Sequence, residues 1–344
     1  MSNYAYAATR VRARRSRLLG PESYDQLLNM EFSEIARYIQ DLEYRREIDK
    51  YGASLRGADL LETALLDNRS TEIGEVIGFC TGELRKSVGA YAERYHVRGI
   101  KVLLRGIFDG VFSEELLRQV SPMTEREREL YTRLASSESV EAAVEQLEGT
   151  QYYEVLQEAL EKRKTDSLQP LEDALDKEYY QDLVANLSSS GAADRVYRGF
   201  VQLQIDVANL KTIMRLRHRG VGGHGELLIS GGNLDESLLG ATNSVADILP
   251  VIEGTAYQEF LQPILEDFED SGLNRAIQAL ENHVSTTSRR YSYLYPLSIL
   301  PILDYLLRKE KEVRNLRTIV RGKDLKLSNA VSYTHLTLPT ICSV

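Results

Sequence analysis

The stretch best suited to chemistry is "RGVGGHGELLISGG", residues 219–232. Glycines let bare backbone N–H groups come close to a phosphate. The phosphate loop G-x-x-x-x-G-K-[ST] also needs a lysine and a hydroxyl, and neither follows here. The dinucleotide pattern G-x-G-x-x-G needs a preceding strand, and the sequence shows no sign of one. The stretch therefore reads as an interdomain linker. His224 lies within it and His218 just before it, with Glu226 as the nearest further donor. Too few ligands stand there for a metal, and a solvated loop is expected. There is no Cys/His spacing of the metal-binding kind, no G-x-S-x-G elbow and no paired-carboxylate signature. Acidic runs such as "EREREL" and "LEDFEDSG" read as solvated helix faces, and His283 has no evident partner. No catalytic, cofactor-binding or metal-binding residue is expected.

Six cations are better placed. Lys101 and Arg105, Lys211 and Arg215, and Arg317 and Arg321 occupy the same places in three related phrases, "VRGIKVLLRG" (97–106), "VANLKTIMRL" (207–216) and "VRNLRTIVRG" (313–322). In each phrase apolar residues fall at i, i+3, i+6 and i+7, one face of an α-helix. The two cations stand four apart, one turn above the other on a different face. Two readings stand side by side: pairing with acidic helices of the same domain, or three basic helices turned to a partner on a central axis. The residue just before each phrase is His96, Asp206 or Glu312, a polar position that reads as packing or local pairing rather than catalysis.

The phrases are spaced 207 − 97 = 110 and 313 − 207 = 106 residues. Leu42-Glu43, Leu147-Glu148 and Ile252-Glu253 repeat at 147 − 42 = 105 and 252 − 147 = 105. Around the last two the match widens to "SVEAAVEQLEGTQYYEVLQEALE" and "SVADILPVIEGTAYQEFLQPILE". Leu27-Leu28 and Leu238-Leu239 stand two periods apart, 238 − 27 = 211. A period near 105 is too long for a solenoid unit and is the size of a small domain. The spacing predicts three similar helical domains, 1–120, 121–225 and 226–330. "DGVFSEELLRQVSPMTERE" and "RHRGVGGHGELLISGGNLDES" read as their linkers. Long periodic runs with few breakers fill the rest, so the fold class is all-α.

The whole composition agrees. Of 344 residues 43% are hydrophobic and 27% charged, ordinary for a soluble globular protein. A net charge of −9 argues against a nucleic-acid partner, which would need cations to displace counterions from phosphate. Two cysteines, Cys80 and Cys342, argue for a reducing compartment and against a disulfide framework. The basic N-terminus lacks the continuous apolar core of a signal peptide. The most apolar window, "YLYPLSILPILDYLL" (293–307), is shorter than the ~20 residues of a membrane span and holds Pro296, Pro301 and Asp304. A buried helix started or kinked by proline is expected there. Residues 331–344, "VSYTHLTLPTICSV", match the in-frame translation of a transposase sequencing adapter. They are read as non-native, so His335 and Cys342 carry no functional weight.

"YAYAATRVRARRSRLL" near the start and "LLRKEKEVRNLRTIVRGK" (306–323) resemble the two ends of the C subunit of archaeal A-type ATP synthases, a family related to the d subunit of vacuolar-type ATPases. The most specific part is Lys309, Glu310, Glu312, Val313, Asn315, Leu316 and Arg317, and the resemblance runs from residue 1 to about 330. It implies three similar helical domains in a funnel about a pseudo-three-fold axis. It also implies a non-catalytic rotor subunit, peripheral on the cytoplasmic face of the membrane. The implied partners are the proteolipid ring and the central shaft subunits D and F, with no cofactor. The alternative is a helical scaffold or adaptor of another complex; an enzyme binding nucleotide at the glycine stretch is a more distant rival.

Overall fold

The computed structural model describes residues 2–163, 167–187, 191–268 and 272–327. Among them the regular elements are α-helices and two short 3₁₀ turns, with no strand, so the protein is all-α. The adapter-like stretch 331–344 lies outside the described residues. The chain gathers into two compact units, Met1–Tyr153 with Pro296–Val344, and Glu154–Tyr295. A compact unit can hold more than one repeat, so this division leaves the number of repeats open. Both stretches read as linkers fall inside a unit: 109–127 in the first and 217–237 in the second. The first contains a helix, Ser113–Gln119, whose Leu116 is buried.

Each repeated phrase lies near the end of a long helix. The three helices are Gly82–Phe108, Ala192–His218 and Leu300–Asp324, of 27, 27 and 25 residues. Each ends two residues after its phrase, at 106 + 2 = 108, 216 + 2 = 218 and 322 + 2 = 324. We call them the first, second and third repeat helices. Their apolar stripes are buried: Val97, Ile100, Leu103 and Leu104; Val207, Leu210, Ile213 and Met214; Val313, Leu316, Ile319 and Val320. A side chain of this size contributes about 1.5–3 kcal/mol when fully buried.

All three helices stop in the same way. Gly110, Gly220 and Lys326 take left-handed φ values of 70°, 72° and 54°. The next N–H in each case turns back to a carbonyl of the last turn, Val111 to Gly106, Val221 to Leu216 and Leu327 to Gly322, at 2.8, 3.0 and 2.8 Å. This is the Schellman arrangement, which satisfies carbonyls the helix itself leaves unpaired. Glycine is the natural residue for it, and the third helix carries a lysine instead.

In the first unit the third repeat helix lies along Gly57–Phe79 and Tyr4–Arg15. Its Leu316, Ile319 and Val320 share one core with Leu27, Ile35, Ile39, Leu61 and Leu65. Pro301 sits in the first turn of this helix and Pro296 in the connection before it, so proline starts this helix and does not kink it. The first repeat helix packs on Glu125–Ala135 and Val140–Glu145, which are capped by the hydroxyls of Thr124 and Ser139. Close approach is set by Gly99, where an added Cβ would stand 2.3 Å from the Tyr131 hydroxyl. In the second unit the second repeat helix packs on Gly272–Leu294, with Phe200 edge-on to Tyr291. No helix of the described residues is long and apolar enough to cross a membrane.

Candidate functional site

The six repeated cations occupy matching surroundings. Lys101, Lys211 and Arg317 are half-buried, and Arg105, Arg215 and Arg321 are exposed. The exposed three each lie in the last turn of a repeat helix, where a cation complements the negative end of the helix dipole. Lys211 is paired with Glu281 at 2.8 Å, and Arg321 with Glu62 at 2.6 Å. Arg317 stands 3.9 Å from the same Glu62. Pairing within each compact unit thus accounts for part of the pattern, and capping of the helix dipole for another part.

The polar residue before each phrase proves to be a buried anchor. Asp206 is fully buried, and its carboxylate accepts four hydrogen bonds. They come from the Asn233 N–H at 2.7 Å, the Leu234 N–H at 3.0 Å, the Asn233 amide at 3.0 Å and the Tyr257 hydroxyl at 2.8 Å. Burial, followed by the charge of Asp206, pushes the Tyr257 hydroxyl far above its ordinary range. Glu312 accepts from the Leu19 N–H at 2.6 Å, from Lys309 Nζ at 3.3 Å and from the Tyr44 hydroxyl. Lys309 also donates to Tyr44 at 2.9 Å and lies over its ring. His96 Nδ1 is 3.0 Å from the Tyr131 hydroxyl. One turn earlier, Glu93 accepts from Tyr152 at 2.9 Å. Each repeat helix therefore offers polar side chains to tyrosine hydroxyls. A buried polar group left unpaired costs about 1–3 kcal/mol, so these pairings fix the register of the packing.

The partners follow a rule. Tyr152 and Tyr257 end the matched turns 148–152 and 253–257. Gly149 and Gly254 there take φ of 79° and 71°, and the Thr150 and Thr255 hydroxyls cap Leu147 and Ile252 at 2.7 and 2.5 Å. Tyr44 follows Leu42-Glu43, the first copy of the same marker. The helix Gly82–Phe108 thus reaches the marker at 147–152 through Glu93, the helix Ala192–His218 the marker at 252–257 through Asp206, and the helix Leu300–Asp324 the marker at 42–44 through Glu312. The same order appears at 217 + 106 = 323: Arg217 donates to the Gly240 carbonyl at 3.2 Å, and Lys323 to the Leu28 carbonyl at 2.7 Å.

The glycine stretch is bound to the second repeat helix. Arg217, only 4% exposed, donates to the carbonyls of Val221 and Gly223 at 2.6 and 2.9 Å and to the Thr242 hydroxyl at 3.0 Å. Asn209 makes two bonds with Ile229, each 2.8 Å. Backbone carbonyls are gathered around a cation here, which is the reverse of a phosphate cradle. His224 is paired with Glu226 at 2.9 Å on the surface, and His218 lies edge-on to Phe268. Among the described residues no three His, Cys, Asp or Glu are grouped so as to hold a metal ion. His283 stacks on Phe260 at 4.8 Å, and burial lowers its pKa. Nothing in the sequence joins these side chains to their tyrosine partners, which stand 35 to 268 residues away along the chain. Only the shared position of His96, Asp206 and Glu312 marks the anchor.

Helices tied by repeated buried clasps define a helical framework protein, and its relatives agree on which one. Residues 7–331 match the model of the family described as ATP synthase (C/AC39) subunit. The A-type ATP synthase C subunit of Methanosarcina acetivorans is 34% identical over 335 residues, covering 96% of this chain and 91% of the relative. The C subunit of Methanosarcina mazei is 35% identical over 333 residues, 95% of this chain and 91% of the relative. That of Haloferax volcanii is 32% identical over 334 residues, 95% of each. This chain belongs to the ATP synthase (C/AC39) subunit family, as its two ends led us to expect.

Proposed function

We propose that this protein is a non-catalytic rotor subunit of an A-type ATP synthase, seated peripherally on the cytoplasmic face of the membrane. There it joins the proteolipid ring to the central shaft of subunits D and F and passes torque between them during ion-driven ATP synthesis. The observation that carries this reading is the full-length kinship with proteins named as the C subunit of A-type ATP synthases. The physics of the fold supports it. Packed helices are stiff and little compressible, as a torque coupler must be. Clasps such as Asp206 with Tyr257 resist slippage because each broken bond would strand a buried polar group.

The architecture we propose for that role is three helical repeats, 1–120, 121–225 and 226–330, about a pseudo-three-fold axis. Each repeat gives its long helix to the next. The cyclic order of the clasps supports the threefold count. The cations Lys101, Arg105, Lys211, Arg215, Arg317 and Arg321 are proposed as contacts for acidic residues of the shaft.

The test is reconstitution of the purified chain with the D–F pair and with the proteolipid ring. We expect stable binding to both. Reversing Arg317 and Arg321 to Glu should weaken D–F binding about tenfold or more. The same change also breaks the pairing with Glu62, so Glu62→Arg is added to restore the fold. A folded variant carrying all three changes that binds D–F unchanged would remove these residues from the contact. A wild-type chain that ignores both ring and shaft would overturn the role.

A further inference from the structure

A second cluster, in the first unit, shares Arg317 with the proposed shaft contact, but Arg69, Arg98 and Glu310, on which its test rests, take no part in that contact. Arg69 comes from the helix Gly57–Phe79, Tyr95 and Arg98 from the first repeat helix, and Glu310 and Arg317 from the third. Arg98 is ion-paired with Oε1 of Glu310. The other oxygen of Glu310 is buried and has no hydrogen-bond partner among the described residues. The same holds for Nε of Arg69, Nε of Arg317 and the hydroxyl of Tyr95. The Arg69 guanidinium lies over the Tyr95 ring, 5.6 Å from its centre. Arg98 keeps 46% of its side chain exposed, so the cluster opens to water. Arg94 and Arg314 add further positive charge around Glu310. Arg317 also stands 3.9 Å from Glu62, which is shared with Arg321.

Two guanidinium groups, Arg69 and Arg317, thus each keep a buried Nε with no acceptor among the described residues, beside the Arg98–Glu310 pair. Burial, and next the charge of Arg98, holds the Arg69 pKa down to about 10. Guanidinium groups in such a setting match the planar or tetrahedral face of an oxyanion, which they bind through two parallel N–H bonds.

We propose that Arg69 and Arg98, around Glu310, together with the neighbouring Arg317, form a receptor for an oxyanion, a phosphate or a carboxylate. The anion supplies an acceptor for Nε of Arg69 and of Arg317, and Glu310 competes with it for Arg98. That competition separates a receptor from a plain structural ion pair. In a receptor, neutralising Glu310 frees Arg98 for the ligand and strengthens binding. In a structural pair it merely removes a partner.

The experiment uses the whole purified chain in low-chloride buffer, with calorimetric titration of inorganic phosphate and, separately, of a hexaglutamate peptide. We expect saturable one-to-one binding of at least one probe. Phosphate alone identifies a free oxyanion, and hexaglutamate alone a carboxylate carried by another chain. Arg69→Gln and Arg98→Gln should each weaken binding about tenfold or more. Glu310→Gln should tighten it several-fold. If Arg69→Gln does not fold by circular dichroism, Arg98→Lys takes its place; it keeps the charge, loses the fork, and should still weaken binding a few-fold. Arg289→Gln, at an exposed position of the second unit, should change nothing. The proposal is overturned by the absence of saturable binding for both probes, by Arg98 variants that bind like wild type, by Glu310→Gln binding more weakly, or by equal weakening in Arg289→Gln.

Discussion

At the scale of single residues, two positions show how local chemistry sets stability. Asp206 gathers a tyrosine hydroxyl, two backbone N–H groups and an amide in a site with no access to water. Gly232 lets that loop come close, since a Cβ there would stand 2.2 Å from an Asp206 oxygen. Asp206→Ala strands these donors, and we expect a loss of about 3 kcal/mol or more in urea unfolding. Asp206→Asn, which keeps one acceptor, should lose less. Lys326 presents the opposite case. It holds the left-handed position that Gly110 and Gly220 hold in the other two helices. A side chain in that conformation costs about 1 kcal/mol relative to glycine. Lys326→Gly should therefore raise the unfolding free energy by about that amount, visible as a higher midpoint at unchanged m-value.

At the scale of elements, the glycine stretch behaves as part of the helix before it. A sequence of six glycines within 219–232 looks free to move. In the structure it runs around Arg217, and its carbonyls meet the guanidinium. Arg217→Met keeps the length of the side chain and removes the donors. We expect the 219–242 segment to become the first site of limited proteolysis, with global stability lowered by about 1–3 kcal/mol. Unchanged cleavage would show that Asn209 and Asp206 hold the loop alone. The same element carries His224 and Glu226, whose 2.9 Å pairing is a surface contact.

At the scale of the whole chain, the first helix, Tyr4–Arg15, and the last, Leu300–Asp324, belong to one compact unit. The last helix completes the core of the first 66 residues. Arg15 pairs with Asp304 at 3.1 Å, Leu19 donates to Glu312, and Tyr44 donates to the same carboxylate. A chain cut before Pro296 should lose far more than its last helix. We expect amides of residues 24–66 to exchange as if unfolded, while residues of the second unit keep their protection in hydrogen exchange. Protection retained across 24–66 would mean that this region folds without the third repeat helix.

The sequence determined the helical class, the three long helices and the buried stripe of each. All of these follow from spacing along a single helix, 3.6 residues to the turn. It also marked the family, through the residues around Lys309 to Arg317 and the alternating arginines near the start. Spacing along the chain could not tell which repeat supplies the partner of which helix. Asp206 reads as a polar residue of variable type until Tyr257 and Asn233 arrive from beyond the glycine stretch. Glu310 and Arg69 are 310 − 69 = 241 residues apart, and no local rule joins them. The tertiary structure decided which tyrosine each long helix meets and the gathering of arginines, because both depend on which surfaces bury one another. The sequence-level pattern is a matter of period, whereas partner choice is a matter of shape and of leaving no buried donor or acceptor unmatched.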